Sequence, residues 1–289
     1  MTRASRHTVE REVITARQKL ASAGVGDPLL DARTLIGEVI GFSLTDFVTK
    51  SDRDLTQEEV ARIAAMLERR AAGEPVHRIL GHREFYGLDF LLSKETLEPR
   101  PDTEILVDTL LPHLRQIVRS NGSARVLDLG IGTGAICLAL LKESAGTTGI
   151  GSDISTDALE TAAKNAERLG VGERFETVRS DWFENISGSF DIIVSNPPYI
   201  RSDVVATLDR EVRYHDPLAA LDGGQDGLAP YRHIAADAAR FLVENGIVGV
   251  EIGFDQRLDV SAIFASHGFV LLEAVKDYGG NDRVLTFRR

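Results

Sequence analysis

Over the first seventy residues the apolar positions recur at the three- and four-residue spacing of helices that bury one face. Asp27 precedes Pro28, a capping acceptor ahead of a proline at the first helical position, and opens a run whose apolar stripe is Leu29, Leu30, Leu35, Ile36, Val39 and Ile40. A second helix start lies at Leu55-Thr56-Gln57-Glu58-Glu59-Val60. Thr56 and Glu59 have the spacing of a capping box, and Leu55 and Val60 that of a hydrophobic staple. This helix runs on through Ile63, Met66 and Leu67 until Gly73-Glu74-Pro75 stops it. The pattern then changes. Short aromatic and aliphatic runs around Gly87 predict a β-hairpin over 82–93, Pro99-Arg100-Pro101 holds the chain extended, and a helix follows over 102–117.

From residue 125 onward strand-like and helical runs alternate. Strands are predicted at 125–129, 148–153, 174–178, 190–195, 246–252, 269–275 and 283–287, and helices near 135–143, 155–169, 203–210, 227–244 and 255–267. Such alternation implies a mostly parallel sheet with helices on both faces. Only residues 276–282 separate the last two strands, too few for a parallel crossover, so these two pair antiparallel. The fold class is therefore α/β: a seven-stranded, mostly parallel, Rossmann-like sheet with an antiparallel last strand, preceded by a small helical bundle. The expected division is a helical domain over 1–73, a linker carrying the hairpin over 74–100, and the α/β domain over 101–289.

A length of 289 residues fits two domains of unequal size, and 43% hydrophobic with 27% charged residues is ordinary for a globular protein. No apolar run approaches the ~18–20 residues that span a bilayer. The first residues lack the apolar stretch of a secretory signal, and the single Cys137 has no partner for an intrachain disulfide. A cytoplasmic protein without membrane attachment is expected. The net charge of −11 is unevenly spread, at +1 over residues 1–83 and −12 over the remainder. Proteins that grip phosphate backbones carry basic stripes, and here the basic residues cluster only as pairs such as Arg69-Arg70. Stable binding to long nucleic acid is not expected.

Four constellations carry candidate chemistry. In Val126-Leu127-Asp128-Leu129-Gly130-Ile131-Gly132-Thr133-Gly134-Ala135 a buried strand enters a glycine-rich turn that opens a helix, where backbone can approach a ligand closely. Taken alone this segment suits either a nicotinamide dinucleotide or S-adenosylmethionine. Asp153 ends the next strand, nineteen positions after Gly134, where a carboxylate can accept hydrogen bonds from two ribose hydroxyls. Capping of the following helix is its simpler role. Asp181 and Trp182, the latter the only tryptophan, follow the third strand and could bind a purine by its exocyclic amine and its ring face, although a tryptophan is often core.

The fourth constellation, Asn196-Pro197-Pro198-Tyr199 after a buried strand, discriminates between the two ligands. Two prolines stiffen the turn and donate no N–H, so the Asn196 side-chain carbonyl and the Pro197 backbone carbonyl can converge on one planar NH2 group. Tyr199 can stack over the group that carries it. Two acceptors on such a nitrogen help it rehybridise toward an incoming methyl and stabilise its developing positive charge, an oxyanion hole with the sign reversed. Hydride transfer needs no such element.

With these residues in view, the chain resembles the bacterial release-factor glutamine methyltransferases, class I enzymes dependent on S-adenosylmethionine. The motif alone is shared with methyltransferases acting on amines of DNA and rRNA bases. The resemblance to this family extends through Gly73-Glu74-Pro75, Gly81-His82-Arg83-Glu84-Phe85-Tyr86-Gly87-Leu88-Asp89-Phe90 and Pro99-Arg100-Pro101-Asp102-Thr103-Glu104. It continues in Ala220-Leu221-Asp222-Gly223-Gly224-Gln225-Asp226-Gly227-Leu228, Glu251-Ile252-Gly253 and Asp282-Arg283-Val284. It implies methylation of N5 of the glutamine in the Gly-Gly-Gln motif of peptide chain release factors. The runner-up is a nucleic-acid exocyclic-amine methyltransferase. The resemblance further implies that Gly130, Ile131, Gly132, Thr133, Gly134, Asp153, Asp181 and Trp182 bind S-adenosylmethionine together with Asn196. Asn196, Pro197, Pro198 and Tyr199 would receive the glutamine, with Asn196, Pro197 and Tyr199 catalytic and no metal ligand assigned. Glu98, Asp102 and His215-Asp216-Pro217 depart from the family pattern. Gly223-Gly224-Gln225 repeats the target tripeptide, and its reading is a glycine-rich loop in preference to a site of self-methylation.

Overall fold

In a computed structural model that describes residues 7–289, the protein divides between Gly81 and His82 into two units. The first is helical: α1 (Val9–Ser22), α2 (Pro28–Ile40), the short α3 (Asp46–Thr49), α4 (Gln57–Ala71) and α5 (Val76–Leu80). Local sequence sets the helix starts. Asp27 Oδ1 accepts from Leu30 N at 3.1 Å, and both bonds of the capping box form, Thr56 N to Glu59 Oε2 at 2.9 Å and Glu59 N to Thr56 Oγ1 at 3.2 Å. Leu20, Leu35, Ile36, Ile63 and Leu67 meet in its core. Arg70, buried at the end of α4, is neutralised by Asp31 of α2 at 2.6 Å. The helix α5 lies beyond residue 73 and belongs to this unit, which Gly81 closes in the left-handed conformation at φ 80°.

The second unit opens with the hairpin β1 (His82–Phe85) and β2 (Leu88–Leu91). Its two-residue turn, Tyr86-Gly87, has both φ values positive, at 54° and 69°, the primed geometry that matches strand twist. A 3-10 turn at Pro101–Thr103 leads into α6 (Glu104–Asn121). The alternating part follows as β3 (Ala124–Leu129), α7 (Ala135–Glu143), β4 (Thr147–Asp153), α8 (Thr156–Arg168), β5 (Phe175–Arg179) and β6 (Phe190–Ser195). Next come α9 (Ser202–Val205), α10 (Arg210–His215), α11 (Ala229–Phe241), β7 (Leu242–Glu251), α12 (Arg257–Ser266), β8 (Val270–Lys276) and β9 (Asp282–Arg288).

The seven strands are ordered β5-β4-β3-β6-β7-β9-β8, and β9 alone runs antiparallel to its neighbours β7 and β8. The alternating pattern and the antiparallel closing pair are as the sequence predicts. Side chains alternate across the sheet. Val126, Ile192 and Val194 pack with Leu106, Leu110 and Leu138 on one face, and Leu127, Ile193, Val250 and Phe287 with Tyr231, Ile234 and Phe264 on the other. Two boundaries differ from expectation. The helix expected over 227–244 ends at Phe241, because Leu242 already pairs with Phe190 and Asn245 adopts a left-handed φ of 63° that no helix admits. The helix expected over 203–210 is two short ones, separated where Asp209 turns extended with ψ 145°.

Asn165 of α8, with 0% of its surface exposed, joins the hairpin to the glycine-rich turn. Its Oδ1 accepts from Leu91 N at 2.8 Å, while Nδ2 donates to Leu91 O at 3.1 Å and to Thr133 O at 2.9 Å. Removing this amide leaves three backbone groups without their partner, of which Thr133 O is buried. Asn165→Ala is therefore expected to lower unfolding free energy by about 2–4 kcal/mol in urea titration. A loss below about 1 kcal/mol would show that water replaces the amide.

Candidate active site

The sheet changes its direction of growth at β3. From β3 the chain crosses to β4 and then β5 on one side, and β6 lies on the other. Loops leaving β3 and β6 diverge at such a reversal and open a crevice at the carboxyl ends of the strands. A cavity of about 500 Å³ occupies this place. Gly130, Gly132, Asp153, Asp181, Trp182, Asn196 and Pro198 line it, together with Ser155, Arg179 and Pro217. The turns after four different strands thus meet at one site.

Each wall has a local cause. Gly130 N and Ile131 N both donate to Ser152 O at 2.9 Å, which pins the glycine turn against β4. Gly130 and Gly132 have φ of 73° and 52°, and a Cβ on either would meet nothing within 4 Å. These glycines serve backbone conformation and leave cleared space beside the chain. The Asp153 carboxylate accepts from Gly132 N at 3.1 Å and from Ser155 N at 2.9 Å. Ser155, and not Asp153, is the N-cap of α8, since its hydroxyl accepts from Ala158 N. Burial raises the Asp153 pKa, and the backbone N–H donors pull it back. Trp182 sits at φ 46° in a turn closed by Ser180, whose hydroxyl donates to Trp182 O at 2.9 Å and accepts from Asn185 N at 3.0 Å. Its ring stacks on His233 at 6.0 Å between centroids and 7° between planes.

The remaining residues singled out from sequence lie behind the walls. Ile131 and Thr133 are buried in the interior, and Gly134 is the residue from which α7 starts. Pro197 and Tyr199 do not line the cavity. Tyr199 packs against the core and donates its hydroxyl to Glu251 Oε1 at 3.2 Å, and burial raises the pKa of that phenol. The Asn-Pro-Pro-Tyr turn is braced from behind. Gln256 Nε2 donates to Tyr199 O at 2.9 Å and to Gly227 O at 3.2 Å, and its Oε1 accepts from Gly253 N at 2.9 Å. Gly223 and Gly227 press against the same turn. An added Cβ would lie 2.7 Å from Pro198 O in one case and 2.5 Å from Tyr199 O in the other. The Gly223-Gly224 pair is thus a structural brace, with Gly223 N donating to Ile200 O at 2.8 Å.

Sequence reasoning missed three polar residues beneath this site. Asp128, inside β3, accepts from Cys137 N at 3.2 Å through Oδ2, and its buried Oδ1 has no partner among the described residues. Burial pushes its carboxyl well above the ordinary aspartate value. Thr103 donates to Glu251 Oε2 at 2.7 Å, and Asn196 Nδ2 donates to Thr103 Oγ1 at 3.3 Å. Burial raises the Glu251 pKa, opposed by the hydrogen bonds and by the Arg283 charge. The signal for Asp128 and Glu251 was available: each is a carboxylate beside the apolar run in the second half of its strand. The departures from family pattern also have partners. Buried Glu98 pairs with Arg83, and Asp216 accepts from Arg100 Nη2 at 2.7 Å.

Two family models match, the PrmC N-terminal domain over residues 13–81 and the methyltransferase small domain over residues 101–210. The release factor glutamine methyltransferase of Agrobacterium fabrum is 79% identical over 98% of each chain. That of Caulobacter vibrioides is 40% identical, over 96% of this chain and 95% of the relative. The chain belongs to the release factor glutamine methyltransferase family. It is a methyltransferase, and solved structures agree on the fold. A methyltransferase from Pyrococcus furiosus matches with a TM-score of 0.53 at 19% identity, over 79% of this chain and 98% of that one. The hMettl16 catalytic domain in complex with MAT2A 3′UTR hairpin 6 matches with a TM-score of 0.54 at 15% identity, over 80% and 82%. No helix among the described residues of the methyltransferase is long and apolar enough to cross a membrane.

Asp128 marks where the methyltransferase sacrifices stability. The folded chain holds the Asp128 proton more tightly than the unfolded chain does, so its stability contribution is full below the ordinary aspartate pKa and is lost as pH rises through the raised value. The amide of an Asp128→Asn variant cannot titrate. Urea midpoints measured from pH 5.5 to pH 8 are expected to move in favour of Asp128→Asn as pH rises. A difference independent of pH would mean that Asp128 is not perturbed.

Proposed function

We propose that the chain transfers a methyl group from S-adenosylmethionine to the side-chain amide nitrogen of the glutamine in the Gly-Gly-Gln motif of peptide chain release factors. The observation that carries this reading is the pairing of Asn196 with Pro197 at the end of β6. Asn196 lines the cavity, its Nδ2 is committed to Thr103, and no group among the described residues donates to its Oδ1 or to Pro197 O. Two neighbouring carbonyl acceptors without an internal donor suit a donor with two hydrogens. The relatives' names supply the substrate class.

The residues around the cavity fit S-adenosylmethionine. Cleared space lies beside Gly130 and Gly132, carboxylates of Asp153 and Asp181 suit ribose hydroxyls and an adenine amine, and Trp182 offers a ring edge or face. Ile131, Thr133 and Gly134 hold the shape of the glycine turn. When bound, S-adenosylmethionine supplies an electrophilic methyl group on a sulfonium sulfur. Asn196 Oδ1 and Pro197 O accept the two hydrogens of the substrate amide, draw its lone pair out of conjugation, and stabilise the positive charge that develops on nitrogen. Pro198 stiffens the turn and Tyr199, fixed by Glu251, forms a flat surface beside it. Holding the amide in one orientation removes the entropic part of the barrier. The proton leaves to solvent.

The helical unit up to Gly81 is the proposed docking module for the release factor, and the cytoplasm, where translation ends, is the proposed location. The −12 charge of the remainder opposes a nucleic-acid substrate. Incubation with methyl-labelled S-adenosylmethionine tests the reading. Label is expected in a release factor and not in its Gln→Ala variant, duplex DNA or rRNA. Label that survives loss of the glutamine, or enters only nucleic acid, would overturn it. Asn196→Ala is expected to keep S-adenosylmethionine affinity within a few-fold while turnover falls at least a hundredfold, roughly the effect of losing one preorganised polar group. Equal loss of both would place Asn196 on the cofactor alone.

A further inference from the structure

Thr103, Glu251 and the Tyr199 hydroxyl form one hydrogen-bonded chain that ends on Asn196, and the transfer described above gives Glu251 no task beyond fixing Tyr199. Its members come from the 3-10 turn before α6, the end of β7 and the loop after β6. Thr103 and Glu251 are 4% and 2% exposed, so water does not compete for their hydrogen bonds. Thr103 Oγ1 lies 2.7 Å from Glu251 Oε2, Tyr199 OH lies 3.2 Å from Oε1, and Asn196 Nδ2 lies 3.3 Å from Thr103 Oγ1.

The direction of these bonds follows from what each group can do. Glu251 accepts through both oxygens, from the Tyr199 hydroxyl and from the Thr103 hydroxyl, so the one hydroxyl proton of Thr103 is committed to Glu251. The Thr103 oxygen can then only accept from its other neighbour. A primary amide has one donating end and one accepting end of nearly equal size, and shape alone does not choose between its two orientations. An obligatory acceptor at Thr103 does choose. It takes the NH2 end of Asn196 and leaves Oδ1 for the substrate.

We propose that Glu251 is a positioning residue that, acting through Thr103, holds the Asn196 amide with its carbonyl toward the substrate NH2. The inference rests on the reading of Asn196 Oδ1 as an acceptor for the substrate amide. With Asn196 turned over, NH2 would face NH2, and two donors cannot bond. The relay thus selects the orientation in which an amide nitrogen is accepted, and it accounts for a buried glutamate at the end of β7 that burial alone would disfavour.

Kinetics of four variants test it, with methyl transfer to a release factor as the assay. Thr103→Val keeps the shape and removes the hydroxyl, and is expected to lower kcat ten- to a hundredfold with S-adenosylmethionine affinity and Tm close to wild type. Thr103→Ser restores the hydroxyl and is expected within threefold of wild type. Glu251→Gln can present either end to Thr103, so kcat falls at least threefold. The double variant Glu251→Gln/Thr103→Val is no slower than Thr103→Val within twofold, because residues acting through one another do not add. If Thr103→Val does not fold, Thr103→Ala replaces it. The relay is overturned if Thr103→Val or Glu251→Gln matches wild type, if the serine variant is as slow as the valine variant, or if the two losses multiply. A wild-type chain that leaves the release factor unmethylated sinks the functional reading instead, whereas an active wild type without this pattern sinks only the relay.

Discussion

At the boundary between β3 and β6 the sheet grows in opposite directions, and the two loops leaving these strands cannot pack against one another. That divergence is the constraint on which the site depends. It leaves the glycine turn and the Asn-Pro-Pro-Tyr turn facing a shared space, and it brings the turns after β4 and β5 to the same edge. Neither loop supports itself. The glycine turn leans on Ser152 O and, through Thr133 O, on Asn165, while the second turn leans on Gln256 and on two glycines whose missing Cβ atoms allow backbone to touch backbone. The site is a meeting of turns that other residues hold in place.

The interior carries a cost in return. Asp128 and Glu251 are carboxylates in positions where a strand of this sheet otherwise has aliphatic side chains, and burial disfavours the charged form of each. A chain selected for stability alone would have little use for them. Glu251 has two hydroxyl donors and the nearby Arg283 charge to offset its desolvation, whereas Asp128 has one backbone N–H and an oxygen left over. A buried oxygen left without a partner is a cost that the fold does not recover.

Much of this was legible in the sequence because the informative signals are local. Strand alternation, the capping box at Thr56, the hairpin turn at Gly87 and the glycine turn after Leu129 are each written in fewer than a dozen residues. So is Asn196-Pro197-Pro198-Tyr199. Helix and strand ends were less legible, since the stop of α11 at Phe241 depends on Leu242 pairing with Phe190, fifty-odd residues earlier. The Thr103–Glu251–Asn196 chain was not legible at all as a unit. Thr103 and Glu251 are separated by 148 positions, and no periodicity or spacing rule links a threonine before one helix to a glutamate ending a central strand. Which acceptor the Tyr199 hydroxyl would find was hidden for the same reason.

The central claim is that the carbonyl of Asn196 and the carbonyl of Pro197 together hold one amide NH2 group. A crystal structure of the protein with S-adenosylhomocysteine and a release factor tests it most directly. The account predicts the glutamine amide nitrogen at hydrogen-bond distance, about 2.7–3.2 Å, from both Asn196 Oδ1 and Pro197 O. A glutamine bound with its carbonyl oxygen toward Asn196, or one that approaches neither acceptor, would contradict it.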